Sequence, residues 1–134
     1  MTRRLLAALA LLLAATLALA ACSSPPDLEG RTFVAASSTG HELVEGSRLV
    51  LVFSDGTVGA QPGCNSMSAP ATWDDGVLRL TGQIASTRMA CSDDLMAQDD
   101  WFAGVLGAEP TLELDGDTLT LSTADVSVVL VESA

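Results

Sequence analysis

Three Asp-Gly pairs, each lying between apolar segments, restrict this chain to a small set of folds. Asp-Gly tolerates the positive φ that tight two-residue hairpins demand. The first pair, Asp55-Gly56, follows the continuous apolar run Arg48-Leu49-Val50-Leu51-Val52-Phe53. The second, Asp75-Gly76, separates Ala71-Thr72-Trp73 from Val77-Leu78-Arg79-Leu80. The third, Asp115-Gly116, separates Thr111-Leu112-Glu113-Leu114 from Thr118-Leu119-Thr120-Leu121. Both flanks of the third pair alternate apolar and polar residues, the period-2 mark of a half-buried strand. Thr32-Phe33-Val34-Ala35 and Val126-Ser127-Val128-Val129-Leu130-Val131 supply a first and a last strand. Hairpins in this number give a mainly β (α+β) chain, an antiparallel meander rather than a βαβ nucleotide-binding sheet.

One segment departs from the strand pattern. Between Ser92 and Leu106 the spacing predicts a helix, with Ser92 as N-cap and Asp93 and Asp94 at the positive end of the dipole. Leu95, Phe102 and Leu106 share a face, Trp101 and Val105 adjoin it, and Gly107 is the expected stop. This helix is expected to cover one face or one open end of the curved sheet. Ser37 to Ser47 is polar and contains Gly40 and Gly46, so it reads as a loop.

The N-terminus carries an address. Met1 to Arg4 is short and basic, and Leu5 to Ala20 is an Ala/Leu run interrupted only by Thr16. As a helix those residues rise about 24 Å, less than a hydrocarbon core of about 30 Å. The run fits a signal-peptide core better than a permanent span. Its end, Leu19-Ala20-Ala21-Cys22, resembles the lipobox of bacterial lipoproteins. That resemblance implies cleavage after residue 21 and a diacylglyceryl thioether on Cys22, with acyl chains of the palmitate kind. Residues 22–27, with Ser23-Ser24-Pro25-Pro26, read as a tether, and 28–132 as the folded domain. The expected location is the extracytoplasmic face of a cell membrane, with the lipid as the membrane contact. An ordinary secretory leader or an uncleaved anchor are the alternatives.

Charge narrows the partners. All 17 acidic residues follow residue 21, where only four arginines and no lysine oppose them, a formal charge near −13. Nucleic-acid backbones and polybasic membrane docking both need a basic patch that this chain lacks. No nucleic-acid partner is therefore expected, and the domain is expected to be monomeric.

With Cys22 lipidated, Cys64 and Cys91 remain, and outside the cytoplasm two thiols more often pair than stay free. Two buried thiols, or redox or metal chemistry, are the alternatives. Zinc takes four ligands, His41 is the one histidine, and no C-x-x-C is present, so no metal or cofactor is expected. Catalytic constellations are equally thin. His41 has no Gly-x-Ser-x-Gly partner and reads as a solvated loop residue. The pairs Asp74-Asp75, Asp93-Asp94 and Asp99-Asp100 invite comparison with glycosidase carboxylates. Neighbours on a strand face opposite ways, however, and the helical ones fit dipole and solvation roles. Asp115-Gly116-Asp117 is too short for an EF-hand loop and reads as a turn.

The segments Phe53-Ser54-Asp55-Gly56, Gly63-Cys64-Asn65, Gly76-Val77-Leu78 and Ala85-Ser86-Thr87-Arg88-Met89-Ala90-Cys91 together resemble the META/HslJ family. Leu28-Glu29-Gly30, the Phe102 to Leu106 helix and the Leu114 to Leu119 hairpin extend the resemblance over residues 28–131. It implies a small, barrel-like antiparallel β fold with one packed helix, common in exported modules, with envelope and stress associations and no established catalytic activity. The chain departs from the family in having Phe33 where Trp is usual. It also lacks an early aromatic after Gly-Cys-Asn, Trp73 coming late, and it places Pro62 just before the motif.

Gly63 permits close backbone approach beside Cys64, and Asn65 suits left-handed φ or a bond to its own backbone, so Gly-Cys-Asn reads as a pinned turn. Arg88 is expected to pair with Asp93 or Asp94. The functional alternative is that Asn65, Thr87 and Arg88 line a small polar binding site. The sequence thus points to a tethered, non-enzymatic lipoprotein that binds an envelope protein or small ligand through loops or an exposed strand edge. Its rivals are an envelope-acting hydrolase, for which one His, no Tyr and no Lys leave few candidate groups, and a passive stress-protective domain.

Overall fold

The computed structural model describes residues 26–134. The expected leader at 1–21, the lipidated Cys22 and the tether as far as Pro25 lie outside the described residues. Nine strands and one helix follow in order: β1 Thr32–Thr39, β2 Val50–Ser54, β3 Thr57–Gln61, β4 Met67–Thr72, β5 Arg79–Leu80, β6 Ala85–Ser86, α1 Asp93–Gly107, β7 Thr111–Asp115, β8 Thr118–Ser122 and β9 Ser127–Glu132. All pair antiparallel, in the order β5-β4-β3-β2-β1-β9-β8-β7, with β6 also on β4. The sheet curls into a half-barrel. Its outer edges meet where Val77 bridges Thr111, the Leu78 N–H donates to the Pro110 carbonyl (2.9 Å) and the Leu112 N–H to the Gly76 carbonyl (2.8 Å). The mainly β, barrel-like fold with a single packed helix is the expected one.

Turn chemistry acts where the sequence places it, with differences of detail. Ser54 pairs with Thr57 around Asp55 (φ 52°) and Gly56 (φ 68°), both left-handed as a type I′ hairpin requires. At the third turn Asp115 pairs with Thr118, so Gly116 (φ 61°) and Asp117 are the central residues. The second hairpin is wider. Thr72 pairs with Arg79, and Asp75 accepts a bond from the Val77 N–H (3.1 Å) inside the loop. The Ser37–Ser47 loop begins later than expected, because β1 runs to Thr39 against β9, past a register shift between Ala35 and Ser37.

Alternation sends Phe33, Leu51, Phe53, Val58, Leu119, Leu121, Val128 and Leu130 to the concave face, where each is fully buried. Helix α1 adds Phe102, Val105 and Leu106 to the same cluster. Phe33 fills the place of the usual tryptophan and meets Phe53 edge-on at 6.2 Å, while Trp73 meets Phe53 at 5.1 Å. The helix ends differ from expectation. Ser92 makes no side-chain cap bond to the backbone, and its hydroxyl bonds Asp94 instead. Asp94 also accepts from the Leu95 N–H (2.8 Å), and the Ser92 hydroxyl first, then this amide, holds the Asp94 carboxyl below its usual range. Gly107 remains helical, and the left-handed residue is Glu109 (φ 53°).

Candidate functional site

The Gly-Cys-Asn turn joins β3 to β4 and lies against α1. A Cβ on Gly63 would stand 3.0 Å from the Leu95 carbonyl oxygen, so glycine at this position is what lets turn and helix touch. A disulfide joins Cys64 to Cys91, with Cα atoms 6.0 Å apart. It links the turn to the segment between β6 and α1.

Asn65 is 8% exposed and bonds outward in every direction. Its Oδ1 accepts from the Met89 N–H (2.6 Å) and the Thr87 hydroxyl (2.9 Å), and its Nδ2 donates to Asp99 Oδ2 (3.0 Å) and the Met89 carbonyl (3.5 Å). Thr87 Oγ1 in turn accepts from the Ser66 N–H (3.0 Å). The expectation of a turn pinned by Asn65 holds, but through a different geometry. Asn65 is not left-handed and does not bond its own backbone. It ties together three segments distant in sequence.

Asp99 completes this clasp from the helix. It is 5% exposed, its Oδ1 accepts from the Cys64 N–H (3.0 Å), and its Oδ2 accepts from the Asn65 N–H (2.8 Å) as well as from the Asn65 amide. One turn position earlier, Gln98 is 1% exposed. It accepts from the Val44 N–H (2.7 Å) and donates to the Pro62 carbonyl (2.6 Å) and Ser47 Oγ (3.0 Å). Pro62 therefore supplies an acceptor to the helix. The solvation role expected for Asp99 is incorrect: the carboxylate is buried because backbone donors of the turn need an acceptor there. Both residues escape sequence reading, since a polar pair in a helix ordinarily marks its wet side.

Arg88 makes no ion pair or hydrogen bond among the described residues, so the expected pairing with Asp93 or Asp94 is absent. The two ion pairs among the described residues are Arg31–Glu132, 2.7 Å, and Arg79–Asp75. His41 lies in a loop, as expected, but is half-buried rather than fully solvated. Its ring stacks on Trp101 at 3.9 Å and 7°, and it is not among the groove residues.

The clasp forms the floor of a groove of about 480 Å³ between the β6–α1 segment and α1. Asn65, Thr87 and Arg88, the residues singled out from sequence, all line it, with Met67, Met89 and Met96. Asn65 and Thr87 face it with their bonding capacity already used, while Arg88 is exposed. Groove residues include no histidine, tyrosine, lysine or thiol. Among the described residues, no group of three or more His, Cys, Asp or Glu side chains is placed to hold a metal ion. No helix among them is long and apolar enough to cross a membrane.

A half-barrel with one helix, clasped to its β3–β4 turn by a disulfide and a buried Asn–Asp pair, defines a small β domain of a recognisable kind. The chain belongs to the META domain family, whose sequence model matches residues 26–134. The META domain is not a known enzymatic family. Two solved structures share the fold. One is the NMR structure of a protein from Burkholderia xenovorans, 16% identical, with a TM-score of 0.67 over 80% of this chain and 84% of that one. The other, also an NMR structure, is 24% identical, with a TM-score of 0.65 over 78% of this chain and 90% of that one. No curated protein matches significantly.

Proposed function

We propose that this chain is an extracytoplasmic lipoprotein, tethered by lipid on Cys22, whose META domain is a non-enzymatic binding module for the cell envelope. The groove carries this reading. Its polar floor is committed to holding the fold, and its remaining lining is mostly apolar, with Asp100 as its one carboxylate outside the clasp and no histidine or thiol. Such a surface is suited to holding a ligand rather than transforming one. The Leu19-Ala20-Ala21-Cys22 sequence supports the tether, and the Cys64–Cys91 bond suits an oxidising compartment.

Two measurements test it. Intact mass of the membrane-extracted protein, with and without reductant, should show loss of residues 1–21, added acyl mass and one disulfide. A soluble chain that keeps Met1 overturns the tether. Crosslinking in envelope extracts should recover one partner with the natural protein and lose it with Ala103→Trp, which fills the groove. Equal recovery by both proteins removes the groove from the account, and no recovery by either favours a passive protective domain.

A further inference from the structure

We propose that the groove is a site for a soft monovalent cation, Cu(I), ligated by the thioethers of Met67, Met89 and Met96. This deepens the binding-module reading and rests on it. Apart from Met1 the chain has three methionines, and all three line this one groove. They come from β4, from the β6–α1 segment and from α1. Met89 is 56% and Met96 41% exposed, two of the three large hydrophobic side chains left open among the described residues. At that exposure they contribute little apolar burial to folding. Met67, at 6%, completes the set from the interior side.

The backbone is preset while the side chains remain adaptable. Met89 is held through its N–H by Asn65 and lies two residues before the bonded Cys91, and Met96 is fixed in the helix. Each methionine has three rotatable bonds with which to orient its sulfur. Neutral thioethers select Cu(I) over hard or borderline ions. Rival ligand sets are spent or lie elsewhere: Asp99 faces three N–H donors, both described cysteines are bonded to each other, and His41 is not among the groove residues. Of the charged groups at the groove, Asp100 favours a cation and Arg88 opposes one. The acidity of the whole domain raises cation concentration around it.

The test uses the full-length protein in detergent, titrated anaerobically with Cu(I) against a chromogenic Cu(I) chelator, with ascorbate as reductant so that the disulfide persists. We expect one equivalent bound and sulfur-only coordination in X-ray absorption. Binding should be retained at pH 5, because a thioether has no proton to gain. Met89→Leu and Met96→Leu should each weaken it at least tenfold with unchanged melting temperature, and Arg88→Gln should strengthen it. Failure to compete with the chelator, or full binding by the triple Met→Leu variant, overturns the proposal. If Cu(I) fails to bind while crosslinking still distinguishes Ala103→Trp, the copper site falls and the binding module stands. If both fail, both readings fall.

Discussion

The concave face of the sheet and the clasp beside the helix are held by different physics. On the sheet, Phe33, Phe53, Leu119 and Leu130 are fully buried, and their contribution scales with apolar area removed from water. At the clasp, one carboxylate, one amide and a disulfide hold the β3–β4 turn, the β6–α1 segment and α1 together, and the bonded residues are 22 to 35 positions apart. The sheet tolerates conservative exchange of one apolar residue for another. The clasp does not, since each of its bonds needs a particular donor or acceptor, and a buried group left alone loses its water without replacement. Shape is thus set by a forgiving region and the groove by an exacting one.

Four variants probe that contrast. The largest effect is expected on the sheet: Phe33→Ala should lower stability by about 4 kcal/mol, as a large buried ring leaves a cavity. Denaturant unfolding measures it, and a loss under about 1 kcal/mol would show that the core collapses around the gap. Next comes the clasp's covalent link. Cys64→Ser with Cys91→Ser should lose about 3 kcal/mol from the freed unfolded chain. Loss of crosslinking to the partner proposed for the groove should accompany it, whereas Phe33→Ala, once refolded, should keep any such crosslink.

Asn65→Ala should cost about 2 kcal/mol, because it strands the Met89 N–H and removes one of the two donors to Asp99 Oδ2. An unchanged melting temperature would mean that Asn65 holds nothing. The smallest effect belongs to the surface. Arg31 donates to Glu132 and holds its carboxyl below the usual range. Such stabilisation is present above the unfolded-state value and lost as pH falls through the lowered folded one. The melting temperatures of the natural protein and Glu132→Gln should therefore differ slightly at neutral pH and converge in acid. A gap that widens in acid reverses the sign and rejects the pair.

How much of this is legible in sequence follows the same division. The hairpin of Leu112, Leu114, Leu119 and Leu121 is plain, because alternation and Asp-Gly agree there. β4, Met67–Thr72, is faint, since Ala and Pro70 carry weak strand signals and only its pairing with β3 and β5 makes it one. The Gly-Cys-Asn and Thr87 to Cys91 motifs mark the site from its loop side. Gln98 and Asp99 are hidden, because their reason for burial is a set of backbone groups more than thirty residues away. The stacking of His41 is hidden for a like cause: its partner, Trp101, is sixty positions along the chain.

The meeting of the outer strands at Val77 and Thr111 has a consequence for crowding. Proteins anchored to one leaflet are confined to a plane, where neighbours collide often and in few orientations. A long unsatisfied ladder on such a molecule would be an invitation to stack copy upon copy. Here the Val77–Thr111 bridge and its two flanking bonds close the start of that ladder on the molecule itself, which on the proposed anchor would leave less edge for stacking.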